Sequence, residues 1–117
     1  MIDQEGRITY RGQEYRLVFN LNVMENIQEQ YGTIAKWANL TDGSANKGEP
    51  NAKAIIFGFC QMINEGIEMD NEETGTDNKL LSIRQCGRII SEVGITQATE
   101  VLQDTVVKST KSDEKNA

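Results

Sequence analysis

The residues of this chain best suited to chemistry are Cys60, Cys86 and an acidic run at residues 68–73; histidine is absent. A cysteine nucleophile needs a nearby base or a lowered thiol pKa. Neither cysteine stands in a local signature that would supply a histidine or asparagine partner. Both fall inside apolar runs at helical spacing, so they are expected to be reduced, buried, small hydrophobes. Two cysteines with no histidine are also too few for a protein-only zinc site. A calcium loop carries oxygen ligands at its first, third and fifth positions, glycine at the sixth and glutamate at the twelfth. Counted from Asp70, the stretch EMDNEETGTDNK supplies Asp70, Glu72, Thr74 and Gly75, but the twelfth position is Leu81, which cannot ligate. The stretch is expected to be a solvated acidic loop. Neither GxxxxGK[ST] nor GxGxxG occurs, so neither phosphate-binding signature is present. With the commonest general base missing, the residues point away from an enzyme and toward a binding protein without cofactor or metal.

Composition narrows the partners. The 117 residues suit one domain with a modest core, and 38% apolar with 26% charged residues make a polar globular chain. The formal charge is −6, with 12 Lys and Arg scattered among 18 Asp and Glu and no basic stripe. That balance disfavours nucleic-acid backbones and anionic membrane surfaces. No segment approaches the roughly 18 apolar residues of a membrane span. The N-terminal region is acidic and has no apolar stretch of signal-peptide type, so a cytoplasmic location is expected.

The elements that would carry a binding surface follow from periodicity. In ITYRGQEYRLVFNL, Ile8 and Tyr10 share one face, Gly12 permits a tight turn, and Tyr15, Leu17 and Phe19 share a face opposite Arg16 and Val18. A helix is expected from Asn22, because NVME has the form of a capping box with Glu25 reaching back. Met24, Ile27 and Tyr31 would face inward, and Gly32 would stop it. Thr33 caps a short segment with Ile34, Trp37 and Ala38 on one side. After the polar loop TDGSANKGEPN, a helix from about Asn51 places Ala52, Ile55, Ile56, Phe59, Met62 and Ile63 at helical spacing. Gly58 lies inside it and leaves room for a close helix approach, while Gly66 is expected to end it. SIRQ, from Ser82, is a second capping box. The helix it opens has Ile83, Cys86, Ile89, Ile90 and Val93 on its apolar face and stops at Gly94. Thr96 is expected to cap the last helix, with Ala98, Val101, Leu102, Thr105 and Val106 inward.

The expected fold is therefore mainly α: a short N-terminal β-hairpin (7–20), then a bundle of four to five short helices. One domain covers 1–108, and a charged, disordered tail covers 109–117. A two-stranded hairpin has a spare face and open edges. Tyr15, Leu17 and Phe19 are candidates for protein binding, with a core role as the alternative. Phe57, off the main stripe of its helix, reads as an exposed anchor. Met24 and Met62 are adaptable contact residues or gap fillers.

The order of these elements resembles the tail assembly chaperones of long-tailed bacteriophages and the related proteins of gene transfer agents. The resemblance rests on the hairpin ITYRGQEYRLVFNL, a helix ending in EQYG, IAKWANL, AKAIIFGFCQMINEG, LSIRQCGRIISEVG and ITQATEVLQDTVVKS. It implies a protein of the infected bacterial cytoplasm that binds and solubilises the tape measure protein until tail tube subunits assemble around it, self-associates, and is absent from the mature virion. The alternative is a structural head–tail connector or tail completion protein. A small DNA-binding protein is a third reading. It is disfavoured because the last helix, TQATEVLQDTVVK, carries Lys108 as its one basic residue.

Overall fold

The computed structural model of the protein describes residues 5–116, with side chains described for residues 6–109. Strands β1 (Glu5–Tyr10) and β2 (Gln13–Val18) form an antiparallel hairpin in which Gly6 faces Leu17 and Ile8 faces Tyr15. Five helices follow: α1 (Leu21–Tyr31), α2 (Ile34–Thr41), α3 (Ala52–Thr74), α4 (Ile83–Val93) and α5 (Ile95–Asn116). The mainly helical architecture with an N-terminal hairpin is as expected, although α3 and α5 are long. No helix among the described residues is long and apolar enough to cross a membrane.

The hairpin tip is Arg11–Gly12, both at positive φ (51° and 78°). That pair of angles is the tight two-residue turn that matches strand twist. Helices cover both strands. A methyl group built at Gly6 would run into Thr105 Oγ1 and Val101 on α5, and one at Gly66 would sit 2.5 Å from the Arg16 carbonyl oxygen on β2. The expected alternation of covered and open faces is therefore lost. Leu17 and Phe19 are buried, but so is Val18, and Arg16 is only 15% exposed. At Gly6 the hairpin is covered by α5, and at Arg16 the backbone of β2 is covered by α3.

Gly66 corrects a second expectation. It does not stop α3 but lets β2 pass close to it, and the helix runs two further turns to Gly75, whose left-handed conformation (φ 69°) forms the cap. The first half of the expected acidic loop is thus helix. Arg16 pairs with Asp70 at 3.1 Å and with Glu73 at 4.0 Å, tying that extension to the hairpin.

Caps at Thr33, Asn51 and Ser82 stand where the sequence puts them, and Ser82 with Gln85 completes both halves of the box. The first helix starts earlier than expected. Asn20, not Asn22, accepts the Val23 N–H at 3.2 Å, and its own amide donates to Glu65 at 2.7 Å. Ile27 is buried as expected, Val23 is buried beside it, and Met24 is half-buried. Thr96 is not the cap of α5 either. The helix opens with Ala98 N–H donating to the Gly94 carbonyl at 3.0 Å, and Thr96 is exposed in its first turn.

One core cluster joins the hairpin to α5, from Ile8, Leu17 and Phe19 through Phe59, Met62 and Ile89 to Leu102. Trp37 reaches it because Gly58 has no side chain. Its indole lies on that glycine, and its Nε1 donates to the Ala54 carbonyl at 2.9 Å. The tail expected from residue 109 falls largely on side chains outside those described. At its start, Ser109 Oγ donates to the Phe19 carbonyl at 3.1 Å, and α5 continues to Asn116.

Candidate docking surface

The groups most capable of chemistry do not converge. Cys60 and Cys86 are free and buried, on α3 and α4. Cys60 Sγ donates to the Leu81 carbonyl at 3.7 Å and accepts from Asn64 Nδ2 at 3.5 Å. The neighbouring Cys86 thiol, and then Asn64, lower the Cys60 thiol pKa against the upward pull of burial, while the same thiol pair and burial push Cys86 far up. Both sulfurs lie in the core, Cys60 at 4% and Cys86 at 0% exposure. No group of three or more His, Cys, Asp or Glu side chains among the described residues could hold a metal ion.

What the surface does offer is a groove. The hairpin tip bends over α4 because Arg11 Nη2 meets Glu92 Oε1 at 3.3 Å and the Arg11 guanidinium lies 5.2 Å from the Tyr10 ring centre. Between Tyr10, Ile56 of α3 and the outer side of α4 lies an open trough of about 660 Å³. Its floor is made shallow-walled by Gly87, where the nearest side-chain atom to a built methyl would be Ile56 Cδ1 at 3.6 Å. Arg84 and Arg88 stand along it one helical turn apart, and Ile83 at its end is 50% exposed. Sequence periodicity had placed Ile83 inward. Cys86, Ile89 and Ile90 fill the core side of α4 and leave Ile83 on the rim. Neither Arg84 nor Arg88 makes an ion pair or side-chain hydrogen bond among the described residues.

The six candidate contact residues divide. Leu17, Phe19 and Met62 are buried in the core and form no surface. Tyr15, Met24 and Phe57 are half-buried against it. Phe57, expected as an exposed anchor, meets Tyr31 edge-on with ring centres 5.6 Å apart at 72°. Only Tyr15 borders a cleft near α4, shared with Tyr10, Gln85 and Arg88. The arginines of α4 were not singled out from the sequence. The available signal was their spacing: two basic residues at i and i+4 in a helix of a chain with net charge −6.

Compared with known proteins, the chain matches no family model, no curated protein and no solved structure.

Proposed function

We propose that this chain acts by binding rather than catalysis, as a phage tail assembly chaperone that keeps the tape measure protein soluble in the host cytoplasm and leaves before the virion matures. The observation that carries the reading is the open trough over α4. It has an apolar floor and an arginine rim, while the two thiols, the chain's strongest nucleophiles, are sealed in the core. A groove of this type suits an amphipathic helix, which lays its apolar side on the floor and its polar side on the rim. In this reading the tape measure protein is a long helical partner of that kind, and the tail tube protein is a second partner. A chain with net charge −6 stays soluble in a crowded assembly.

Co-expression tests the reading. A tagged chain is produced with the tape measure protein of the same phage, and both soluble fractions are measured. The expected result is that the long protein stays soluble and co-purifies only when the chain is present, and that mass spectrometry finds no copies of the chain in purified virions. Recovery of the chain from virions at stoichiometric level, with no effect on the long protein, would instead assign a connector or completion role.

A further inference from the structure

We propose that the α4 trough receives helix α1 of a second copy of this chain, with Leu21 seated beside Ile83 and the carboxylates of Glu25 and Glu29 on the guanidinium groups of Arg84 and Arg88. This rests on the proposed function only in expecting self-association; the surfaces themselves come from exposure and charge.

Leu21 is 79% exposed, the most exposed large apolar side chain described, and it opens α1 with little cover from the described residues. Glu25 and Glu29 follow at i+4 and i+8, so all three lie on one strip of the helix. Both carboxylates are exposed and make no ion pair among the described residues. Their separation is one helical turn, and so is that of Arg84 and Arg88. The two strips therefore present two like charges at the same pitch, with opposite sign; Leu21 stands one turn before Glu25, Ile83 stands one residue before Arg84 on the adjoining side of α4, and the Arg84–Arg88 strip runs on to Glu92, which Arg11 holds. Gly87, between the arginines, gives the incoming helix a floor of backbone instead of a side chain.

The two surfaces belong to different parts of the fold. α1 packs on α2 and α3, whereas α4 packs on α3, α5 and β1. A copy that fills its neighbour's trough keeps its own trough free. The contact is head-to-tail, and it generates a ring or an open array according to the rotation between copies.

The experiment is sedimentation of the full chain at low ionic strength over a wide concentration range. The wild-type chain is expected to associate with rising concentration and to dissociate as salt is added. Arg84→Glu/Arg88→Glu and Glu25→Arg/Glu29→Arg are each expected to weaken association by roughly tenfold or more, since each sets like charges face to face. An equimolar mixture of the two variants regains it, because every contact between unlike variants is complementary. All four positions are exposed, and unchanged circular dichroism and melting verify folding. Glu68→Arg/Glu72→Arg, which reverses a second exposed acidic pair one turn apart on α3, is expected to leave association intact. A wild-type chain that remains monomeric, a loss that the mixture does not repair, or an equal loss in the α3 control overturns the proposal. Capture of the long helical protein, measured on the same variants, is a separate readout. If capture fails while the mixture still restores association, the chaperone role fails and this interface stands.

Discussion

Asn64 and Leu81 are joined as neighbouring strands are: Leu81 N–H donates to Asn64 Oδ1 at 2.8 Å, and Asn64 Nδ2 donates to the Leu81 carbonyl at 2.9 Å. Two helical turns further along α3, Asn71 repeats the device. Asn78 N–H donates to its Oδ1 at 2.9 Å, and its Nδ2 donates to the Asn78 carbonyl at 3.0 Å. A returning segment with no secondary structure is thus fastened at two points to a helix, and it delivers Ser82 to the place where α4 begins.

Replacing Asn64 by Ala leaves the part-buried Leu81 N–H unpaired and its carbonyl with the weak Cys60 thiol donor at 3.7 Å. The expected loss is about 1–3 kcal/mol in denaturant unfolding. Asn64→Asp is expected to cost more, because a carboxylate then faces the Leu81 carbonyl and the Cys60 sulfur. Asn71→Ala, at an exposed clasp, is expected to cost less than either.

Two glycines inside helices should respond with opposite signs. A methyl at Gly58 collides with the Trp37 ring, so Gly58→Ala is expected to destabilise by about 1–3 kcal/mol. A methyl at Gly87 meets only Ile56 Cδ1, at the ordinary distance of 3.6 Å, so Gly87→Ala is expected to stabilise by up to about 1 kcal/mol through helix propensity. Thermal melts of the pair read both effects.

Asp42 gives a pH signature. The Ser44 N–H donates to its Oδ1 at 2.8 Å, and this bond, with the nearby Ser44 hydroxyl, holds the carboxyl below its ordinary 3.8. Since the folded value lies below the unfolded one, the stabilisation is complete above the unfolded value and fades as pH falls through the folded value. Asp42→Asn keeps an acceptor and removes the titration. The melting temperatures of wild type and variant are expected to converge, or cross, as pH falls below about 4, relative to their separation at neutral pH.

The thiols supply the fourth test. In the folded chain both are expected to react slowly with an aromatic disulfide reagent, at a rate set by local opening, and two equivalents are expected in denaturant. Cys86→Ala removes the neighbouring thiol that lowers the Cys60 pKa and leaves burial to act more strongly, so the first thiolate is expected to appear at higher pH than in wild type. Ultraviolet thiolate absorbance follows it.

How far the sequence could be read depended on whether a signal was local. The caps at Thr33, Asn51 and Ser82 rest on side chains bonding backbone three residues ahead, and they were legible. The first cap was expected at Asn22, but Asn20 forms it, with its own amide held by Glu65, which is 45 residues away. Gly66 has the composition of a stop, but what decides its role is the passing backbone of Arg16, again a distant partner. The same holds at the surface. Amphipathic spacing marked the inner side of α4 correctly in Cys86, Ile89 and Ile90, yet the trough on its outer side exists because the hairpin tip folds over and Arg11 reaches Glu92, 81 positions later in the chain. The candidate residues chosen for being aromatic or flexible turned out mostly to be core, since in a chain with so few large apolar side chains the interior claims them first.

The seating of Gly6 against Val101 and Thr105 bears on the order in which the protein can assemble during synthesis. The ribosome completes β1 long before α5 has been made, so the hairpin emerges with one of its two helical covers still missing. α1, α2 and α3 can gather on the β2 side as they appear. Until the final helix is released, Ile8 and its neighbours have an incomplete shelter. A nascent chain stalled before residue 101 should therefore be protease-sensitive at its first strand and become resistant there only once translation has passed Ser109, whose hydroxyl fastens the end of that cover to Phe19.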